Sequence, residues 1–128
     1  NGNYIFSEDY FYPLHGAYRA QASDFDKDGD LDIAAIAFFP DFSLEEPESF
    51  VYLENSGATF LPFHDSLANS GRWMTMNTGD LNNDGYDDIV LGAAYIPLGM
   101  TYFMDRFQDL SVNGPGVVIL RNLSLNNE

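Results

Sequence analysis

Asp24-Phe25-Asp26-Lys27-Asp28-Gly29-Asp30-Leu31-Asp32 returns 56 residues later as Asp80-Leu81-Asn82-Asn83-Asp84-Gly85-Tyr86-Asp87-Asp88. In both copies an oxygen-bearing side chain stands at positions 1, 3, 5 and 9, and a glycine stands at position 6. Five carboxylates within nine residues, as in the first copy, repel one another in any compact loop unless a cation sits among them. A hard cation that takes six to eight oxygens at about 2.3–2.6 Å suits short acidic side chains converging from one curled loop. Gly29 and Gly85 supply a turn that a residue with a Cβ makes reluctantly. Position 7, Asp30 or Tyr86, is free to vary if it ligates through its backbone carbonyl. The expected ligands are therefore Asp24, Asp26, Asp28, Asp30 and Asp32 for one ion, and Asp80, Asn82, Asp84, Tyr86 and Asp88 for a second. Calcium is the ion that fits, two per chain.

An EF-hand would need a bidentate Glu at position 12 and flanking helices. Position 12 is Ala35 in the first copy and Leu91 in the second, and β-type sequence follows each loop directly. The bland alternative is a pair of solvated acidic turns, since Asp, Asn and Gly are ordinary turn residues. Asp87, which replaces Leu31 of the first copy, is expected to point outward into solvent.

The segments around the loops repeat as well. Residues 2–8 read as a short strand, 9–16 as a loop, and 17–23 as a half-buried strand with Tyr18, Ala20 and Ala22 on one side. Residues 33–39 are continuously apolar, the mark of a strand covered on both faces. Residues 49–54 form a further strand that stops at Asn55-Ser56-Gly57. The order then recurs at 58–63, 73–78, 89–94 and 117–122, with insertions confined to connections. No clear helix is present, although residues 101–110 could hold one turn or two. Four short strands per unit, with an acidic turn after the first and a doubly covered second strand, predict an all-β fold of propeller blades. Repeat one runs from about 2 to 57, repeat two from about 58 to 123, and 124–128 form a tail, all within a single segment.

On these residues the chain resembles the FG-GAP or VCBS-type repeat family, the calcium-loop repeats of integrin-like β-propellers. The two loops carry the resemblance, with Leu91-Gly92-Ala93-Ala94 and the strand ends Leu53-Glu54-Asn55 and Leu120-Arg121-Asn122. No Phe-Gly pair opens either repeat, which places the likeness nearer to VCBS-type members. A closed ring needs at least four blades, so the resemblance implies further blades as partners, from the same chain or from associated copies. It implies a calcium-binding structural or recognition segment for protein or glycan ligands. The alternative is part of an extracellular polysaccharide-active enzyme whose catalytic residues lie elsewhere.

Composition narrows the partners. Five Lys or Arg stand against twenty Asp or Glu, a net charge of −15 that two calcium ions would bring to −11. An acidic chain lacks the basic face that nucleic acid or an anionic membrane requires. No apolar run approaches the ~20 residues of a membrane span. Loops of this kind fill at extracellular calcium levels, so a secreted, periplasmic or cell-surface setting is expected. The chain opens at Asn1 without Met, as expected of a segment of a longer or processed protein.

No catalytic residue is expected. The loop acids are i, i+2, i+4 neighbours aimed at one centre and leave no room for the sugar ring that a glycosidase pair flanks. His15 and His64 each follow a Pro-x pair and are expected to make structural hydrogen bonds. The connections 9–16, 40–48, 64–72 and 95–115 should share the face opposite the metal turns. They are rich in aromatics, and Tyr12, Arg72, Trp73, Tyr102, Phe103 and Phe107 are the candidate ligand-binding residues there.

Overall fold

The computed structural model describes residues 2–124. Four strands, β1 (Ala17–Ser23), β2 (Asp32–Ala37), β3 (Phe50–Asn55) and β4 (Phe60–Phe63), form an antiparallel meander, sheet A. Three more, β5 (Trp73–Gly79), β6 (Asp88–Ala93) and β7 (Val117–Leu120), form sheet B in the same order. The repeat is close in detail. Both first strands open with a register irregularity at the matching place, Ala17/Arg19 and Trp73/Thr75. Ile33 pairs with Leu53 as Ile89 pairs with Leu120.

The two sheets stack face to face. Ala34, Ile36 and Phe50 from sheet A meet Trp73, Met76, Ile89, Leu91 and Val118 from sheet B, with Phe25 and Ala68 closing the cluster. Burying each of the large side chains contributes about 1.5–3 kcal/mol. The continuous apolar run of β2 is therefore only half used. Its Ala34 and Ile36 face sheet B and are buried, whereas Ile33 and Ala35 on the opposite face are half-exposed. In β1 the side that looks apolar, with Tyr18, Ala20 and Ala22, is the exposed one. Its polar side faces sheet B instead, where Gln21 Nε2 donates to Thr78 Oγ1 at 2.9 Å and Ser23 Oγ to Asp87 Oδ2 at 3.2 Å. Asp87 is thus tied to the neighbouring blade and does not stand free in solvent.

Three expectations are corrected. Residues 2–8 form no strand, because a lone extended segment needs an edge to pair with and no strand among the described residues takes it. Sheet B has three strands, not four, among the described residues. Residues 104–113 form a ten-residue helix, α1 (Met104–Asn113), longer than the turn or two the sequence offers. Tertiary contacts hold this helix: Arg106 donates to the carbonyl oxygens of Phe42 at 2.7 Å and Leu44 at 2.6 Å. The tail residues 125–128 lie outside the described residues.

Arg72 and Trp73 are fully buried. The Arg72 guanidinium donates to the carbonyl oxygens of Phe38, Ile96 and Leu98 and lies 3.9 Å from the Phe38 ring centroid. It thereby joins the end of β2 to the long β6–β7 connection. The Trp73 indole donates to the carbonyl of Ala68. Neither side chain is open to a ligand, which removes both from the expected recognition surface. Arg72→Ala would leave three inward carbonyls without a donor. A loss of about 3 kcal/mol is expected, read as a lower urea midpoint, and Arg72→Lys should recover only part of it because one ammonium lacks the planar fork.

Candidate metal centre

Each acidic loop is the turn between the first and second strands of its sheet. Both wind the same way: position 4 is left-handed, with φ 62° at Lys27 and 60° at Asn83, and so is position 6, with φ 102° at Gly29 and 90° at Gly85. Backbone N–H groups turn inward onto the side chains. Gly29 N donates to Asp24 Oδ2 at 3.2 Å, Asp28 N to Asp26 Oδ1 at 3.3 Å and Asp30 N to Asp28 Oδ1 at 3.2 Å. These bonds hold the acidic side chains on the concave side of the turn.

Asp24, Asp26 and Asp28 each bring a carboxylate oxygen within 4.8 Å of the others, the one such trio among the described residues. Asp24 Oδ1 and Asp30 Oδ1 are buried atoms with no hydrogen-bond partner. An unpaired buried carboxylate oxygen is costly, so the loop holds oxygens that a cation would satisfy. The electrostatics agree. Burial first, then the Asp32 and Asp28 carboxylates, pushes Asp26 up to about 6, and Asp30 is raised for related reasons. Like charges are crowded here.

The second loop is better satisfied internally. Asp80 accepts from Asp84 N at 3.1 Å and Gly85 N at 2.8 Å, and the Gly85 N–H is foremost in holding its carboxyl below the usual range. Asn82 Nδ2 donates to Asp84 Oδ2 at 2.9 Å, while Asp84 Oδ1 accepts from Tyr86 N at 2.9 Å. The carboxamide thus replaces one repulsion of the first loop with a hydrogen bond.

Position 9 has a role that spacing alone does not reveal. Asp32 and Asp88 are fully buried. Asp32 accepts from Phe25 N at 3.1 Å and Asn55 N at 2.8 Å; Asp88 accepts from Leu81 N at 3.0 Å and Asn122 N at 2.8 Å. Each therefore clamps the start of its loop to the end of the third strand. Burial, with the Asp32 carboxylate adding, pushes the Tyr52 phenol up. The paired asparagines complete the clamp. Asn55 Nδ2 donates to the Leu31 carbonyl at 3.2 Å, and Asn122 Nδ2 donates to those of Phe25 at 2.7 Å and Asp87 at 3.0 Å. The Phe25 contact links the end of β7 to the loop of the other sheet. Their matching places at the ends of twin strands were the signal for this role.

The candidate ligand residues on the opposite face do not converge. Tyr12 is half-buried, with its hydroxyl donating to Glu48 Oε2 at 3.0 Å. Phe103 packs on Phe42 at 6.2 Å between ring centroids. Phe107 is half-buried on α1, and Tyr102 is 92% exposed. Of the histidines, His15 Nδ1 lies 2.8 Å from the Phe39 carbonyl oxygen and His64 Nδ1 3.6 Å from Glu48 Oε2. Asp32→Ala is expected to cost about 2–4 kcal/mol by leaving two N–H groups unpaired. Chemical denaturation in EDTA checks it, because the loss should be present without any metal.

A model of the FG-GAP-like repeat matches residues 24–91, from the first acidic position of the first loop to the strand behind the second. No curated protein and no solved structure matches the chain. The match spans just over half of the 128 residues and both loops, and the sheets repeat around it. The chain therefore belongs to the FG-GAP-like repeat family.

Proposed function

We propose that this segment is a calcium-stabilised pair of propeller blades, non-catalytic, that serves as a structural or recognition module outside the cytoplasm. The observation that carries the proposal is the convergence of Asp24, Asp26 and Asp28, with buried oxygens of Asp24 and Asp30 left unpaired. Calcium bound there would supply the positive charge that this cluster lacks. The holding residues would be those three with Asp30 and Asp32 in the first loop, and Asp80, Asn82, Asp84, Tyr86 and Asp88 in the second. Asp32 and Asp88 already anchor each loop, so metal binding and blade integrity are mechanically joined. Extracellular modules of modest affinity fill at 10⁻⁴–10⁻³ M calcium, which supports a secreted, periplasmic or cell-surface setting. No helix among the described residues is long and apolar enough to cross a membrane.

Further blades are the proposed structural partners. Two stacked sheets leave one face of each uncovered, and a propeller covers both. For recognition of a protein or glycan, the supporting feature is a cleft of about 810 Å³ on the face away from the acidic loops. It lies between the β2–β3 connection, residues 64–71 and α1, with Phe42, Glu48, His64, Asn69, Arg106 and Leu110 among its walls. Mixed aromatic, amide and charged groups are what a polar ligand with an apolar face requires.

Thermal melts in ~1 mM calcium and in EDTA test the metal assignment. If each site binds at ~0.1 mM, ~1 mM calcium, ten times the dissociation constant, adds about 1.4 kcal/mol per site. Asp24→Ala is expected to remove more of this gain than Asp80→Ala, because the first loop carries the greater unpaired charge. Magnesium should not reproduce it, since it demands a tighter octahedral shell. Identical melts with and without calcium would sink the assignment.

A further inference from the structure

The cleft of about 810 Å³ carries carboxylates on two of its walls. Glu45, Glu46 and Glu48 line it from the β2–β3 connection, and Asp105 and Asp109 line it from α1. The two helix acids stand four residues apart and so share one face. Among the described residues, no lysine or arginine lies within ion-pair distance of these five carboxylates. Arg106 belongs to the same lining, but its Nη1 and Nη2 donate to the carbonyl oxygens of Phe42, Leu44 and Glu45. Like charges on facing walls repel, and the repulsion falls when a cation enters between them.

Two unmet hydrogen bonds say what that cation is attached to. Glu48 Oε2 accepts from the Tyr12 hydroxyl at 3.0 Å and lies 3.6 Å from His64 Nδ1, whereas its Oε1 is buried without a partner. That oxygen calls for a donor. Asn69 has the opposite need. Its Oδ1 accepts from Ser49 N and Phe50 N, both at 2.9 Å, which fixes the amide and leaves Nδ2 with no acceptor among the described residues. Phe42, Pro47 and Leu110 add apolar surface to the same lining. A lysine or arginine within a peptide answers all three features. Its head is a cationic donor, its backbone carbonyl is an acceptor, and its methylene stem lies on apolar wall. An aliphatic polyamine has the head and the stem but no acceptor.

We propose that this cleft binds a basic segment of a partner polypeptide. Its lysine or arginine side chains enter between the β2–β3 connection and α1, and a backbone carbonyl accepts from Asn69 Nδ2. This deepens the recognition reading above and rests on it; the acidic loops and their metal take no part. Complementary charge of this kind sets partner choice and encounter rate more than raw affinity. Binding is therefore expected to weaken as salt shortens the Debye length.

The test is fluorescence anisotropy of a labelled peptide of alternating lysine and serine, titrated with the full chain in ~1 mM calcium. Saturable binding is expected. Glu45→Gln with Glu46→Gln should weaken it about fivefold or more, and so should Asp105→Asn with Asp109→Asn. Glu8→Gln with Glu54→Gln removes the same charge outside the cleft and should change it less than about twofold. The four cleft acids are exposed, and of their side chains only Asp109 accepts a bond, from Asn113 on the same helix. The calcium-dependent melts of these variants should therefore match the parent. Spermidine and a glucosamine oligomer should displace the peptide at least about tenfold less well than unlabelled peptide does. No saturable binding up to ~1 mM, an equal loss in the Glu8 and Glu54 variant, or better displacement by spermidine or the glucosamine oligomer would each overturn the inference. Better displacement would leave a recognition cleft with a different ligand. In every case an intact calcium-dependent melt would leave the metal assignment standing.

Discussion

Two buried carboxylates, Asp32 and Asp88, hold the rest of the molecule in register. Each accepts one backbone N–H from the start of its loop and one from the end of the third strand. A buried polar group is tolerated only with such partners, and once paired it is hard to replace. The clamp fixes the closing end of each loop, and this decides where Asp24, Asp26 and Asp28 point. It also sets the first register pair of the second and third strands, from which the remaining pairs follow. Loop chemistry and sheet geometry are thus one constraint.

The stacking of the sheets follows from repetition. Successive blades are related by rotation, so the face that sheet A turns toward sheet B is repeated on the far side of sheet B. Ala34 and Ile36 are fully buried in the first sheet, while their twins Val90 and Gly92 are half-exposed. The reverse holds for Ile33 and Ala35 against Ile89 and Leu91. Each of these strands, apolar on both faces, is covered on one face and half-exposed on the other. Polar contacts fix the angle between the sheets as well. Gln21, Ser23 and Asn122 reach across to Thr78, Asp87 and the Phe25 carbonyl, so sliding one sheet over the other would break directional bonds.

The two loops are not equal, although they share a backbone path. Asn82 in place of Asp26 removes one charge and adds a donor, which Asp84 accepts at 2.9 Å. The first loop has no such relief, and its unpaired oxygens are the physical basis for assigning it a cation. On the opposite face, Arg72 and Arg106 both point their guanidinium groups at backbone carbonyls and so brace long connections. Two of the chain's five basic side chains are therefore committed to structure, which leaves the acidic surface little local compensation.

The residues alone determined the repeat, the position of both loops, seven of the strands and the all-β class. Those features rest on local chemistry: short oxygen-bearing side chains around a glycine turn, and apolar runs of strand length. Spacing also brought out the alternating acids of the first loop, of which Asp24, Asp26 and Asp28 bring their oxygens together. Tertiary structure decided what local pattern does not encode. Residues 2–8 have strand-like character but pair with no strand among the described residues, and β1 turns its apolar side outward because Gln21 and Ser23 find partners in the next blade. Arg72 and Trp73 looked like surface anchors, yet their burial depends on Phe38, Ala68, Ile96 and Leu98, which lie distant in sequence or carry no side-chain signal. The helix at 104–113 has no buried residue to mark it in the pattern and is secured by Arg106 binding carbonyls some sixty positions away. A sequence records which groups a residue offers; only the fold brings the acceptors to them.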